Sequence, residues 1–460
     1  MRVVVGSEIF ITDLKLEEFT KIESFLKSHF IISNPLFFKL QNGAKFKRNI
    51  PQYITLYSRL KNGFLIPFGA LKSIFKFLKN FHNVKYEALT SKNENLKIKY
   101  NSKIIPYDYQ EKAIQKMLLA KNGVLVAPCG AGKTEMALEI VSRIGKTTLW
   151  ITHTQDLLKQ SLERAMNNFD IPKRCFGTIT QGKIDIGTHI TFATVQTLSK
   201  IDLQKIKNVF DVIIVDECHR VGGSPTNIMM FYKCLSNLNA RYKIGITATP
   251  KHDGLEKSMY CLLGDLVYEI PKQAVQSKLC KVKVETISTN YNANINNITN
   301  PDGTINYAKM INDLCDDVER NHLILKYIGN LKRCIVLSER VSHLETLKIM
   351  LRGSKVEILT SKTKNRKQII EDFKNGKIDI LLSTYQLMSE GFDCPTLEYL
   401  VFATPQKNER IVTQSCGRIA RKCDEKKQGT IIDFVDDFFM YKKMRKLRER
   451  IYKKNNYDYA

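Results

Sequence analysis

The chain has 460 residues, of which 43% are hydrophobic and 26% are charged. These fractions are ordinary for globular proteins and exclude a wholly disordered or fibrous chain, and the length is enough for about three domains. The 72 Lys and Arg residues outnumber the 46 Asp and Glu residues, which gives a formal net charge of +26. Such an excess is typical of proteins that bind nucleic acid, although codon use that favours lysine produces it as well.

The eleven cysteines stand singly between Cys129 and Cys423, without a C-x-x-C pair. That pattern argues against a zinc ribbon or a disulfide framework and favours a reducing compartment. The N-terminus reaches Glu8 before any apolar run long enough for a signal peptide, and no apolar stretch is long enough to span a bilayer. We therefore expect a soluble intracellular protein that has no membrane partner.

Residues 1–105 carry 18 Lys and Arg but only 7 Asp and Glu, and they contain no recognisable catalytic motif. Short apolar runs at residues 53–57 and 64–68 precede a helical pattern over residues 71–78. We expect a small basic α+β domain that binds nucleic acid.

From residue 106 onward, short apolar strands alternate with longer amphipathic stretches, which is the pattern of parallel α/β units. The first series of candidate strands comprises residues 123–128, 148–152, 190–193, 212–216 and 243–247. The second series comprises residues 333–338, 355–359, 378–383, 399–403 and 430–434. The sequence thus predicts an α/β fold with two tandem parallel sheets. We expect domains at residues 106–280 and 321–460, a linker region at 281–320, which is rich in Asn, and a basic C-terminal helix at 441–454.

An apolar strand leads directly into a loop that matches the phosphate-binding pattern G-x-x-x-x-G-K-[ST], with alanine in place of the first glycine. The loop consists of Ala127, Pro128, Cys129, Gly130, Ala131, Gly132, Lys133 and Thr134. Glycines let backbone N–H groups turn towards phosphate oxygens, and the following helix directs its positive end there. We expect Lys133 to reach the β- and γ-phosphates of ATP and the Thr134 hydroxyl to hold Mg²⁺. The strand before the loop and the amphipathic stretch after it disfavour a chance glycine-rich turn.

A second strand, uniformly apolar over residues 212–215, ends in Asp216 and Glu217. Carboxylates at the end of a strand near a phosphate loop complete a nucleotide site. Asp216 would hold the Mg²⁺ shell, and Glu217 would orient or deprotonate the attacking water. The alternative, a solvated acidic turn, is weakened by the phosphate loop upstream.

Residues 216–219, Asp-Glu-Cys-His, resemble the D-E-x-H box of superfamily 2 helicases. Further motifs follow in that family's order at residues 247–250, 389–393 and 414–421. The resemblance covers residues 106–433 and implies two RecA-like domains that bind ATP in the cleft between them. It also implies that Gly391, Asp393 and Gln414 contribute to the nucleotide site.

The last of these motifs, Q-x-x-G-R-x-x-R, supplies two further candidate catalytic residues. Arg418 and Arg421 lie three residues apart, so on a helix they would share one face. Two guanidinium groups presented to a γ-phosphate would stabilise the charge that develops there, as an arginine finger does. A basic surface helix is the alternative.

The entry motif distinguishes branches of the superfamily. The chain lacks the D-E-A-D box, the upstream Q motif and the H-R-x-G-R-x-x-R motif of DEAD-box RNA helicases. Its Tyr107-Asp108-Tyr109-Gln110 is instead similar to the R-x-Y-Q entry of XPB-like DNA helicases, which implies that Gln110 reads the adenine edge. His153 lies where the family has its Ia motif, on the strand contact, but equally suits the edge of a core.

The length of the chain and its general sequence pattern are similar to those of helicases of large cytoplasmic DNA viruses, of the poxvirus transcript-release type. That likeness implies a place in a viral factory or virion as well as the cytoplasm or nucleus, and partners in transcription or repair. We therefore predict an ATP-dependent helicase or translocase that acts on DNA rather than RNA. The alternatives are a non-unwinding translocase, a restriction-enzyme motor, an RNA helicase and a binding module with a decayed ATPase. No nuclease set of the P-D…(D/E)-x-K type supports the restriction enzyme, and every catalytic position carries the residue type its chemistry needs.

Overall fold

The computed structural model describes residues 1–39, 50–88, 97–180, 182–250, 254–276, 279–351, 355–389, 392, 394–423 and 425–459. The chain divides into two compact units, Met1–Pro271 and Lys272–Ala460. The first unit contains a small α+β domain and an α/β domain, and the second unit is a further α/β domain. In the described part of the chain, no helix combines the length and the apolar character that crossing a membrane requires.

The N-terminal domain is α+β, as the sequence predicts. Its strands are β1 (Arg2–Val5), β2 (Glu8–Thr12), β3 (Ile31–Ser33), β4 (Tyr53–Thr55), β5 (Ser58–Leu60), β6 (Gly63–Pro67) and β7 (Lys85–Ala88). Its helices are α1 (Leu16–Phe30), α2 (Pro35–Lys39) and α3 (Leu71–Leu78). Strands β5-β6-β2-β1-β7 form one sheet, antiparallel except for the pair β1 and β7. Alternate strand residues such as Val3, Ile9 and Ile11 are buried in one core with Leu26 of α1 and Ile74 of α3, because successive side chains of a strand face opposite sides.

The N-terminal domain packs directly on the α/β domain of the same unit. Ile228 and Leu255 of the α/β domain belong to its hydrophobic core. Two hydrogen bonds tie the turn residue Ser7 and the first residue of β2, Glu8, to the larger domain. The Tyr232 hydroxyl donates to Glu8 Oε1 at 2.8 Å, and the Lys243 ammonium donates to the Ser7 carbonyl at 2.9 Å.

The α/β domain of the first unit is built on a parallel sheet in the order β11-β10-β12-β9-β13-β14-β8-β15. Its strands are β8 (Gly123–Val126), β9 (Thr148–Thr152), β10 (Phe176–Thr180), β11 (Lys183–Asp185), β12 (Ile190–Thr194), β13 (Val212–Asp216), β14 (Tyr242–Thr247) and β15 (Leu266–Glu269). Its helices are α4 (Asp108–Ala120), α5 (Lys133–Ile144), α6 (Gln155–Asn168), α7 (Val195–Leu198), α8 (Pro225–Asn237) and α9 (Glu256–Leu263). Within the described residues of this sheet, only β10 and β11 pair antiparallel. Strands β9, β12 and β13 are buried along their whole length, as central parallel strands are.

The second unit has a parallel seven-stranded sheet in the order β18-β19-β17-β20-β21-β16-β22. The strands are β16 (Lys281–Ser288), β17 (Cys334–Ser338), β18 (Val356–Leu359), β19 (Ile380–Thr384), β20 (Tyr399–Phe402), β21 (Gln428–Val435) and β22 (Asp458–Tyr459). The helices are α10 (Lys272–Gln276), α11 (Ile295–Ile298), α12 (Tyr307–Asp316), α13 (Val318–Ile328), α14 (Val341–Met350), α15 (Arg366–Lys374), α16 (Tyr385–Ser389), α17 (Glu409–Ile419) and α18 (Phe439–Lys454). The two tandem α/β sheets predicted from the sequence are thus both present.

The region 281–320, expected as a linker, contains regular structure. Its first eight residues form β16, which pairs with β21 along its full length. Its Asn-rich part contributes buried Tyr291, Ile298 and Leu314 to a cluster that also includes Phe438 and Tyr441 at the start of α18. This segment is therefore folded onto the second domain, because its scattered apolar residues reach apolar partners more than 100 positions away.

Candidate active site

The phosphate loop joins the buried strand β8 to helix α5. Gly130 and Gly132 have φ angles of 83° and 75°, in the left-handed region that glycine enters without steric cost. Helix α5 begins at Lys133, and no side-chain hydrogen bond caps its N-terminus in the described structure. The amide groups of its first turn are therefore oriented to receive an anion, with the positive end of the helix dipole behind them.

Gln110 lies against this loop. Its Oε1 accepts a hydrogen bond from the Tyr107 amide at 2.9 Å, which caps α4, and its Nε2 donates to the Ala131 carbonyl at 2.9 Å. A Cβ atom at Gly132 would be strained at the φ of 75° and would approach Gln110 Nε2 to 2.5 Å, so both the backbone and the neighbouring side chain favour glycine here. The sequence-predicted Gln110 is thus in contact with the phosphate loop, and its side chain is almost fully buried.

The two predicted carboxylates stand at the same edge of the sheet as the loop. Asp216 is the last residue of β13, and only β14 separates that strand from β8. The Lys133 ammonium lies 3.8 Å from Glu217 Oε1, so the structure brings together the groups that the sequence assigns to phosphate binding and to water activation. Burial raises the pKa of Asp216 above its ordinary value, the neighbouring Glu217 charge raises it further, and Lys133 opposes both effects.

Glu217 adopts a left-handed backbone conformation, with φ of 48°. For a residue with a side chain this conformation is strained by about 1–3 kcal/mol and is concentrated at functional sites. The Glu217 amide donates to Asp216 Oδ1 at 2.9 Å, which holds the turn. The turn keeps both carboxylates at the end of β13.

A hydrogen bond that the sequence does not predict connects the D-E-x-H box with the next motif. His219 Nδ1 lies 2.9 Å from Thr247 Oγ1 and 3.2 Å from Glu217 Oε2. Thr247 is the last residue of β14, and its Oγ1 also accepts from the Thr249 amide at 3.2 Å. The histidine therefore links the carboxylate turn to the loop after β14. The sequence indicates a functional role for His219 only through its place in the D-E-x-H box. It does not indicate the partner, because Thr247 lies 28 residues away.

His153 follows β9 at the same edge of the sheet. Its Nδ1 lies 3.2 Å from Gln196 Nε2, and both side chains are half-buried. Thr154 Oγ1 accepts from the Leu157 amide and caps α6. The half-buried edge position with a polar partner is compatible with both interpretations of His153, a contact with the nucleic-acid strand and a histidine at the edge of the core.

The second unit holds the residues of the last two motifs. Gln414 and Arg418 lie on α17, with Gln414 buried and Arg418 half-buried. Arg421 lies beyond that helix, which ends at Ile419, so the expectation that both arginines share a helix face is corrected. Arg421 instead forms a bridge with Leu279, because the chain leaves the helix to pair with the segment before β16. Gly391 and Asp393 lie outside the described residues.

The residues at the first site fit ATP and Mg²⁺. The open N-terminus of α5 and the Lys133 ammonium suit phosphate oxygens. The Thr134 hydroxyl and the Asp216 carboxylate are oxygen ligands of the kind that Mg²⁺ binds together with substrate phosphates.

Comparisons with known proteins agree with this arrangement. Residues 103–252 match the family model described as type III restriction enzyme, res subunit, and residues 319–423 match the helicase conserved C-terminal domain. A putative ATP-dependent RNA helicase of Acanthamoeba polyphaga mimivirus is 27% identical over 361 residues, which is 76% of this chain and 67% of the relative. The DNA 3'-5' translocase XPB2 of Sulfurisphaera tokodaii is 24% identical over 71% of this chain and 81% of its own length.

A solved structure shows the same fold. Saccharomyces cerevisiae Dbp5 bound to RNA and ADP BeF3 aligns with a TM-score of 0.54 at 18% identity, over 77% of this chain and 88% of that one. Two helicase domains in this order, each built on a RecA-like parallel sheet, imply the use of ATP. The chain is therefore an ATP-dependent helicase of superfamily 2, with relatives among XPB-type and viral helicases.

Proposed function

We propose that the protein couples hydrolysis of ATP with Mg²⁺ to movement along DNA and strand displacement, in transcription or repair. The observation that carries the proposal is the shared sheet edge, where Lys133 lies 3.8 Å from Glu217 and His219 lies 2.9 Å from Thr247. Groups that would contact the nucleotide are thereby connected to a neighbouring loop. Hydrolysis of the bound nucleotide can thus alter the conformation of the loop after β14 through the contact between His219 and Thr247.

Each group at this edge has a chemical task. Lys133 binds the β- and γ-phosphates, and Thr134 with Asp216 holds the metal ion, which supplies neutralisation of negative charge when bound. Glu217 orients the attacking water and accepts its proton. Gln110, whose polar atoms already hold the loop and the start of α4, reads the adenine edge.

Residues of the second unit complete the proposed chemistry. Arg418 and Arg421 stabilise the charge that develops on the γ-phosphate in the transition state. Gln414, Gly391 and Asp393 contribute to the nucleotide site, as the motif resemblance implies. We place the accessory domain at residues 1–105, the first RecA-like domain at 106–271 and the second at 272–460, which includes the region 281–320 that was expected as a linker.

Charge on the surface supports a nucleic-acid partner. Helix α18 buries Tyr441, Met444 and Tyr452 on one face. Its opposite face carries basic side chains that are exposed to solvent, namely Lys442, Lys443, Lys446, Arg450, Lys453 and Lys454. Positions three and four apart share a helix face, so these charges form one stripe that suits a phosphate backbone. Arg448 is not part of the stripe, because it is buried and paired with Asp433 at 2.9 Å.

The preference for DNA over RNA follows from the entry motif at Tyr109 and Gln110, which is similar to that of XPB-like DNA helicases. RNA is the second candidate, since the mimivirus relative is named as an RNA helicase. A restriction motor is the third, since the matched model of residues 103–252 is named for such a subunit. Viral relatives support a viral setting with partners in transcription or repair.

One experiment separates these candidates. The steady-state ATPase rate is measured with single-stranded DNA, duplex DNA and RNA in turn, and strand displacement and DNA cleavage are followed on the same substrates. We expect DNA to stimulate hydrolysis more than RNA, displacement to require ATP, and no cleavage. Lys133→Ala is the matched inactive control, which should remain folded because Lys133 serves phosphate rather than a core. Stronger stimulation by RNA would refute the DNA assignment, and near-normal turnover by Lys133→Ala would refute the phosphate site.

A further inference from the structure

The arginine-bearing helix α17 ends against a buried lysine. An α-helix leaves its last four carbonyl groups without partners inside the helix. Here the carbonyl of Ile419, the final residue of α17, accepts a hydrogen bond from Lys426 Nζ at 2.5 Å. A positive charge at a helix C-terminus is also favoured by the helix dipole. The ammonium of Lys426 therefore caps the helix that carries Arg418.

The same ammonium reaches a second backbone segment. Lys426 Nζ lies 3.5 Å from the Pro395 carbonyl, in the loop that follows the motif at residues 389–393. Cys423 Sγ also lies 3.5 Å from that carbonyl, and the Lys426 amide donates to the Cys423 carbonyl at 3.1 Å. Lys426 thus connects the end of the motif at residues 414–421 with the segment after the motif at residues 389–393.

A third segment braces the same helix end. The Cys280 amide donates to the Ala420 carbonyl at 2.9 Å, and Cys280 Sγ lies 3.4 Å from the Ile419 carbonyl. Leu279 pairs with Arg421 in the next position. The backbone from Ile419 to Arg421 is therefore held by contacts on both sides, and Lys426 adds a charged donor to these neutral ones.

Burial of the charged Lys426 ammonium is unfavourable in free energy. Lys426 is 5% exposed, and burial lowers the pKa of its ammonium. Within the described part of the chain it has backbone carbonyls and thiols as neighbours and no ion pair with a carboxylate. An apolar side chain of the same length would fill the space without the desolvation cost. Only the ammonium can donate hydrogen bonds to the two backbone carbonyls. One of these carbonyls belongs to Ile419, which follows Arg418 directly and precedes Arg421 by two residues.

We infer that Lys426 is a positioning residue for ATP hydrolysis, whose ammonium fixes the end of α17 and thereby sets where Arg418 and Arg421 project. This inference rests on the arginine roles given under the proposed function. A transition-state group displaced by about 1 Å loses about 100-fold in rate. Loosening this helix end therefore slows turnover while leaving the affinity for ATP in the ground state almost unchanged.

The test uses the full-length protein with its stimulating nucleic acid. Lys426→Met keeps the length and removes the charge, Lys426→Arg keeps a donor, and Lys427→Met is the matched control because Lys427 is the exposed neighbour. We expect Lys426→Met to lower kcat about 10- to 100-fold with KM for ATP changed less than about threefold. Lys426→Arg should recover part of the loss, and Lys427→Met should behave as wild type.

A double-mutant cycle separates positioning from general damage. If Lys426 acts through Arg418 and Arg421, then Lys426→Met slows the Arg421→Ala protein by a smaller factor than it slows wild type. The same cycle is run with Arg418→Ala. Normal turnover by Lys426→Met, or losses that multiply in both cycles, overturns the inference. Should Lys426→Met fail to fold, Lys426→Gln enters the same cycles. Full turnover by both arginine variants would instead refute the proposed arginine role, and a slow Lys426→Met would then show that Lys426 does not act through them.

Discussion

Lys243 gives a prediction about how the N-terminal domain is attached. This lysine of β14 is completely buried. Its ammonium donates to the Ser7 carbonyl at 2.9 Å and to the Leu235 carbonyl at 2.7 Å, and it lies 5.0 Å from the centre of the Phe68 ring. Burial lowers its pKa from the ordinary 10.5 to about 7, although the Glu8 charge opposes the shift. The charged form is therefore disfavoured in the folded protein.

The sign and size of the effect on stability follow from that shift. Between pH 7 and 10.5 Lys243 is mostly protonated in the unfolded chain and mostly neutral in the folded protein. The unfolded state therefore binds more protons, and the free energy of unfolding rises with pH. The slope is at most about 1.4 kcal/mol per pH unit, which gives about 3 kcal/mol between pH 7 and pH 9.5. Below pH 7 both states are protonated, and the slope from this group disappears.

Lys243→Met removes the titrating group and keeps the volume of the side chain. It leaves the carbonyls of Ser7 and Leu235 without their donor, at a cost of about 1–3 kcal/mol each, and it removes the desolvation of the ammonium. At pH 7 these terms oppose each other, so the variant should be close to wild type in stability. At pH 9.5 wild type should be the more stable protein by about 3 kcal/mol in addition to the difference at pH 7.

Trp150 supplies the assay. It is the single tryptophan of the chain and is buried in β9 of the first unit, so its fluorescence during urea denaturation reports unfolding of that unit. Wild type and Lys243→Met are compared from pH 7 to pH 9.5, with Lys116→Met as the control, since Lys116 is exposed on α4. Tyrosine and thiol ionisation affects all three proteins alike. A difference between wild type and Lys243→Met that stays constant across this range would refute the account of Lys243.

Two further predictions concern the second unit. Burial lowers the pKa of His343 from 6.5 to about 3, so its contribution to stability is complete above pH 6.5 and is lost as the pH falls. The protection of β17 against hydrogen exchange, expressed relative to the intrinsic exchange rate at each pH, should therefore decrease in acid. His343→Gln should remove part of that dependence, whereas an identical profile in both proteins would contradict the assignment. Replacing Lys446, Arg450 and Lys453 of the α18 stripe with Gln should weaken nucleic-acid binding and reduce its logarithmic salt slope on DNA by about 0.9 for each phosphate that is no longer neutralised. Unchanged affinity and slope would identify the stripe as a solvated surface.

The sequence predicts that the phosphate loop and the two carboxylates lie at one edge of the first sheet, because that grouping depends on local signals. The strand that ends at Asp216 and the loop that ends at Thr134 are each recognisable within about ten residues, and a parallel sheet brings the carboxyl ends of its strands to one edge. The approach of Lys133 to Glu217 follows from those two facts. The bond between His219 and Thr247 does not, because it depends on which strand lies between β8 and β13.

Long-range pairing explains the features that the sequence does not reveal. Strand β16 alternates exposed lysines at 281 and 283 with buried valines at 282 and 284, so it lacks the continuous apolar run that marks central strands such as β13 and β17. Only its pairing with β21, more than 140 residues later, identifies it as part of the sheet. In α18, the count of basic residues could not show that Arg448 points inward to Asp433 rather than outward.

The lysine surplus therefore has two physically different parts. Codon use that favours lysine adds the residue wherever the protein tolerates it, and tolerance is highest on the surface, where an ammonium stays hydrated. It does not account for Lys243 and Lys426, because burial of each ammonium is unfavourable unless the fold supplies acceptors. Both are held by backbone carbonyls from segments distant in sequence, Ser7 in one case and Pro395 in the other. Each buried lysine thus joins two segments that local sequence does not connect. For this reason replacement of Lys243 or Lys426 should change how parts of the motor are held, whereas replacement of an exposed lysine should change only the attraction to phosphate.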